Sequence, residues 1–135
     1  MSIISIAKDA VAALNLVPAE NIGVQAVYDA DWQGETKIII SEEQTTAEDE
    51  TQEEPLSYRT VLNVYCGSKD RNTACDIGRA AANAVYAAFV NLERKSGLTN
   101  RIFSITKNMK TISNVPGREE FEAGRSFNII HNLNS

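Results

Sequence analysis

The hydrophobic residues at the start of the chain recur every three or four positions. Within residues 2–14 they form a single stripe, and Lys8 and Asp9 fall outside it. This spacing predicts an amphipathic helix, for which Ser2 is a suitable N-cap. Pro18 is expected to end this region of the chain.

Three later segments have the pattern of β-strands. Residues 22–28 are predicted to form the first, and residues 36–41 contain three consecutive isoleucines, which suit a strand covered on both faces. Residues 58–66 alternate, and we expect them to pair with residues 36–41 as an antiparallel hairpin. The face of 58–66 predicted to be apolar carries Tyr58, Thr60, Leu62, Val64 and Cys66.

The longest predicted helix covers residues 71–95. Asp70 is suited to cap its start, and Gly97 is suited to end it. The helix is rich in alanine and therefore slim, so it can lie close to a sheet. Its apolar stripe comprises Ala74, Ile77, Ala81, Ala84, Val85, Ala88, Phe89 and Leu92.

The rest of the chain is predicted to be β-structure. Residues 102–106 indicate one strand, with an extension at 109–113, and residues 115–117 (Val-Pro-Gly) indicate a turn. Residues 118–124 are charged and are expected to form a loop before a last strand at 125–133. We expect that last strand to be a polar sheet edge, because its outward positions include Asn128, Asn132, Asn134 and Ser135.

This order of elements predicts a single α+β domain over residues 1–135. We expect a mainly antiparallel or mixed sheet of about four to five strands. The N-terminal helix and the long helix would pack on that sheet, and the hairpin between residues 36–41 and 58–66 would carry a long acidic loop.

The charge of the chain is concentrated in that loop. The net charge is −5, yet residues outside 42–54 carry 13 basic against 11 acidic side chains. Such a segment repels itself, so we predict that residues 42–55 form a mobile loop whose acids face a partner. The acids are Glu42, Glu43, Glu48, Asp49, Glu50, Glu53 and Glu54.

The sequence contains no recognisable catalytic or cofactor-binding motif. His131 is the only histidine and shares a predicted strand face with apolar residues, so a structural role is favoured. A nucleophilic pair of Cys66 or Cys75 with His131 is conceivable, but no flanking motif accompanies it. We expect no enzymatic activity, no metal and no cofactor.

Binding to nucleic acid or membrane is also disfavoured by the sequence. The net charge is negative, and the basic residues are scattered without interleaved aromatic residues. No apolar run approaches the length needed to span a bilayer, and no signal peptide is recognised. We therefore expect an intracellular protein with reduced thiols that binds other proteins.

One part of the pattern resembles a known family. A short helix and a hairpin lead to Tyr58-Arg59-Thr60-Val61-Leu62-Asn63-Val64-Tyr65-Cys66, and this strand runs into Asp70-Arg71-Asn72-Thr73-Ala74 and an alanine-rich helix. The arrangement resembles the tail terminator, or tail-completion, proteins of long-tailed bacteriophages, which include the minor tail protein U type and related tail-to-head joining proteins. The resemblance covers nearly the whole chain, but not the acidic insertion.

The resemblance implies a non-enzymatic virion protein of the tail, assembled in the host cytoplasm. It would form a hexameric ring at the head-proximal end of the tail tube, contact the major tail tube protein, end polymerisation and offer a surface to the head–tail connector protein. In such a ring the acidic loops of the six copies would line the lumen. No specific nucleic acid and no membrane would be bound.

Three other interpretations remain open. The chain is another connector, neck or head-completion protein of a phage; or it is a cytoplasmic adaptor or regulatory binding domain; or it is an enzyme that uses Cys66 or Cys75 with His131.

Overall fold

The computed structural model describes residues 2–24, 36–47, 58–93, 102–114 and 121–132. Two α-helices and five strands make up this part of the chain, which confirms the predicted α+β class. In chain order the elements are α1 (Ile3–Ala12), a 3-10 turn (Ala19–Asn21), β1 (Ile22–Val24), β2 (Lys37–Ala47), β3 (Tyr58–Ser68), α2 (Arg71–Glu93), β4 (Ile102–Asn114) and β5 (Phe121–His131).

Both predicted helix starts are confirmed. The side chains of Ser2 and Ser5 each accept a hydrogen bond from the other residue's backbone N–H, which forms a capping box at α1. Beyond the helix, Asn15 adopts a left-handed backbone with φ 52°, a conformation that does not continue a helix. At α2, the Asp70 carboxylate accepts hydrogen bonds from the Thr73 N–H at 3.1 Å and the Thr73 hydroxyl at 2.6 Å.

The sheet is mixed, with the strand order β1-β2-β3-β5-β4. Strand β1 pairs with β2 in parallel, and every other neighbouring pair is antiparallel. The predicted antiparallel pairing of β2 with β3 is confirmed, with Ile38 opposite Cys66 and Ile40 opposite Val64.

Two strand boundaries were predicted wrongly. Strand β2 continues to Ala47, so residues 42–47 belong to a strand and not to the predicted loop, while residues 48–57 lie outside the described part. The extension pairs with the first residues of β3, and such pairing outweighs the low strand propensity of glutamate. Strand β5 likewise begins at Phe121, because residues 121–124 pair with both β3 and β4.

The prediction that the last strand forms an exposed edge is also wrong. Strand β5 lies inside the sheet between β3 and β4, and the edges are the three-residue β1 and the thirteen-residue β4. The two predicted segments 102–106 and 109–113 form one strand, β4, with a register shift between Lys107 and Lys110. Pairing between strands that are distant in sequence decided this order, and no local pattern encodes it.

Both helices pack on the sheet and on each other. Helix α1 contacts β1, β2 and α2, and helix α2 lies across β3, β5 and β4. The predicted faces of β3 are confirmed, since Thr60, Leu62, Val64 and Cys66 are fully buried. The alanine-rich helix approaches β5 closely, because Gly78 lies directly against the backbone of Ala123.

Candidate functional site

The predicted acidic site residues lie partly on strand β2. Glu42 pairs with Leu62 and is half-buried, and this burial raises the pKa of its carboxyl group. Glu43 is exposed. The remaining predicted acids, Glu48, Asp49, Glu50, Glu53 and Glu54, lie outside the described residues, so the prediction that they face a partner or a lumen stays open.

The alternative catalytic pair of Cys66 with His131 is not formed. On β3, Cys66 lies opposite Ala123, whereas His131 lies opposite Tyr58, eight residues away. At about 3.3 Å per residue this separation is about 26 Å. Burial also raises the pKa of the Cys66 thiol to about 12, so the thiol is protonated at neutral pH and is a poor nucleophile.

His131 is part of the packed interior, as the sequence predicts. It is 5% exposed, and its Nε2 lies 2.8 Å from the Thr60 hydroxyl on the neighbouring strand. Burial lowers the pKa of the imidazole, which favours the neutral ring. This position is typical of a histidine that joins two strands.

Two findings limit other kinds of site within the described residues. No group of three or more histidine, cysteine, aspartate or glutamate side chains there lies close enough to hold a metal ion. None of the helices in the same residues has the length and apolar character of a membrane span.

A cleft of about 210 Å³ opens between α2, β4 and β5. Helix α2 forms one wall, and the β4–β5 pair forms the other. Three of the nine residues around it are cationic and none is acidic. They are Cys75, Gly78, Arg79, Ala82, Asn83, Lys107, Ala123, Gly124 and Arg125.

The close approach of α2 to β5 shapes this cleft. Both Gly78 and Gly124 sit where an added Cβ would collide with a neighbouring backbone, at Ala123 and at Val64 respectively. The absence of side chains at these two positions lets the helix and strands lie close together beside the cleft. The helix side of the sheet also carries Arg125, because this residue pairs with the buried Val64.

The three cations reach the cleft from three different elements. Arg79 forms an exposed ion pair with Asp76, at 3.0 Å, with side-chain exposures of 61% and 70%. Such an exposed pair contributes little, and the guanidinium keeps other N–H donors for a ligand. Lys107 places its Nζ 4.3 Å from the centre of the Tyr86 ring, which orients the ammonium beside the cleft. The arrangement is suited to bind an anionic group.

The sheet face away from the helices carries a hydrogen-bonded polar row. The Ser126 hydroxyl donates to the Asn63 amide oxygen and lies 3.2 Å from the Tyr65 hydroxyl. Asn63 is 8% exposed, so this row satisfies a buried polar side chain. It has the character of a structural network between β3 and β5.

The cationic cleft was not predicted. Arg79, Lys107 and Arg125 lie far apart in the sequence, and each looks like an ordinary surface cation in its own segment. They come together only because β5 pairs with both β3 and β4 and α2 crosses this pair. The small residues of α2 were the one available signal, since they indicate a close helix–sheet contact.

No protein-family model and no curated protein matches the chain.

Proposed function

We propose that this chain is a structural protein of a long-tailed bacteriophage that caps the head-proximal end of the tail tube. It forms a ring, proposed to be hexameric, that ends polymerisation of the major tail tube protein and offers the surface for the head–tail connector protein. The protein is part of the virion and works by contact with other proteins, without catalysis.

The observation that carries the proposal is the order of the elements. A short capped helix, three strands, a long helix and two strands follow one another, and the central strand β3 passes within three residues into α2. The resemblance to tail terminator proteins rests on this same order and on the residues at the junction of β3 and α2.

Features of the surface are compatible with a ring. The two helices cover one face of the sheet, and the thirteen-residue β4 is an edge strand. A ring needs two different surfaces on each copy, so that one copy contacts the next in a head-to-tail manner. The acidic hairpin of β2 and β3 and the cationic cleft beside β4 are two such surfaces.

The separation of Cys66 from His131 weakens one of the two enzymatic alternatives, the pairing of Cys66 with His131. That interpretation required a thiolate beside an imidazole, whereas the two groups are about 26 Å apart along β3 at about 3.3 Å per residue.

The test is electron microscopy of particles made when this reading frame is disrupted in its parent genome. We expect overlong tails or tails without heads, because tube growth is no longer stopped and the joining surface is missing. Addition of the purified protein should restore tails of uniform length joined to heads, while buffer alone should not.

Two other outcomes would redirect the proposal. Tails of normal length beside unfilled or leaking heads would place the chain among the neck or head-completion proteins. Particles unaffected by the disruption would contradict a virion role and favour a cytoplasmic adaptor, expected as a monomer or dimer without affinity for tail tubes.

A further inference from the structure

Two regions of the chain carry opposite charge. One is the acidic segment, residues 42–54, which begins on β2 and carries seven acids and no base. The other is the cleft of Arg79, Lys107 and Arg125, whose lining residues include no acid, although the exposed Asp76 pairs with Arg79 from the same helix.

The strand register relates the described part of this segment to the cleft. Glu42 lies level with Lys107, because Glu42 pairs with Leu62, Leu62 with Phe127, and Phe127 with Lys107. Three strand spacings from β2 to β4 separate these two positions by about 14 Å across the sheet. The described acids of the segment thus lie on a strand that does not line the cleft.

The size of the cleft limits the ligands that it can bind. Its volume of about 210 Å³ is below the range of roughly 300–1,000 Å³ that is usual for drug-sized ligands. One or two carboxylate side chains suit this space. Guanidinium groups favour them, because their N–H donors match the two oxygens of a carboxylate.

We propose that the Arg79–Lys107–Arg125 cleft binds carboxylates of the acidic segment 42–54 of a second copy of this chain. This inference deepens the proposed function and rests on it, since it names the two surfaces that join neighbouring copies of the ring. Each copy gives its acidic segment to one neighbour and its cationic cleft to the other. Such a heterologous contact closes into a ring when the rotation between copies allows it.

Charge complementarity favours a second copy over nucleic acid as the occupant. A polyanion that approached the cleft would also meet the acidic segments of the assembly and be repelled by them. A second copy instead brings seven acids to the three cations, and this pairing offsets the repulsion between acidic segments.

The experiment is a charge swap followed by analytical ultracentrifugation. One variant reverses the cleft with Arg79→Glu and Lys107→Glu, both at exposed side chains. The other reverses the acidic segment with Glu43→Lys, Glu48→Lys, Glu50→Lys, Glu53→Lys and Glu54→Lys, which leave two acids and five lysines in place of seven acids. Each variant alone should associate about tenfold more weakly or worse than the wild type, because like charges then face each other.

The decisive sample is an equimolar mixture of the two variants. The reversed cleft of one accepts the reversed segment of the other, and the two unchanged surfaces still fit, so alternating assemblies should form with wild-type stoichiometry. The exposed Lys8→Glu on α1 is the control and should assemble like the wild type. Circular dichroism of each variant establishes that a loss of assembly is not a loss of folding.

Several outcomes would overturn the inference. They are a wild-type chain that stays monomeric, single variants that assemble normally, and folded variants that fail to assemble when mixed. Assembly should also weaken between about 0.1 M and about 1 M salt, because the Debye length falls from about 10 to about 3 Å. Assembly that does not weaken over this range would contradict the inference. Binding of free phosphate or acetate with no effect on assembly would also overturn it.

The two proposals fail separately. Restored assembly in the mixture with no effect on tails would leave the contact standing and contradict the tail function. Variants that assemble normally and still correct the tails would contradict the proposed contact and leave the tail function standing.

Discussion

At the scale of single residues, His131 links packing to pH. It is the only histidine of the chain, it is almost fully buried, and its ring lies within hydrogen-bond distance of Thr60. Since burial lowers its pKa in the folded protein, the unfolded chain binds the extra proton first as the pH falls. The folded protein therefore loses stability below the unfolded pKa of about 6.5, until the pH reaches the folded pKa.

This loss of stability can be measured by urea unfolding between neutral and mildly acidic pH. The wild type should lose free energy of unfolding as the pH falls through this window, and His131→Gln should lose less. Taking the difference between the two proteins at each pH removes the contribution of Glu42, whose raised pKa acts in the opposite direction. Parallel pH curves for the two proteins would contradict the prediction.

At the scale of elements, the contact between α2 and β5 depends on Gly78. An alanine there would bring its Cβ well inside contact distance of the Ala123 carbonyl oxygen. Helix propensity alone would favour alanine by up to about 1 kcal/mol. Overpacking against a rigid strand costs about 1–3 kcal/mol, so we expect Gly78→Ala to destabilise the protein.

The measurement is the free energy of unfolding in urea, with Asn91→Ala on the exposed face of α2 as the control. The control should be neutral or slightly stabilising, because alanine is the better helix former and nothing is crowded there. A Gly78→Ala protein more stable than the wild type would show that the helix is not seated so closely on β5.

At the scale of the whole molecule, the two cysteines report on cooperative unfolding. Cys66 is fully buried on the central strand β3, and its thiol has a pKa of about 12, whereas Cys75 is half-buried at the start of α2. Alkylation of the native protein by iodoacetamide should modify Cys75 first. Cys66 should react only when the sheet opens, and opening of a core strand approaches global unfolding.

Mass spectrometry of timed samples distinguishes the two thiols. Denaturant should bring both rates together, because unfolding removes the burial that separates them. Rapid labelling of Cys66 under native conditions would contradict the burial and revive the interpretation of a reactive thiol.

Local patterns were enough for most of the elements. Ser2 and Asp70 are caps, and caps satisfy the helix's own first N–H groups, so the adjacent residues suffice to reveal them. The alternation in β3 also predicted its buried face, since successive side chains point to opposite sides. The α+β class follows from the order of these elements.

The sheet order and the cleft were decided by tertiary structure alone. Strand β5 has a polar outward face that suggested an edge, yet it is paired on both sides, because backbone groups and not side chains make those pairs. Backbone pairing with β3 likewise extends β2 through Glu42 and Glu43 to Ala47. The cleft then follows, because Arg79, Lys107 and Arg125 are distant in sequence and meet only where α2 crosses β5 and β4.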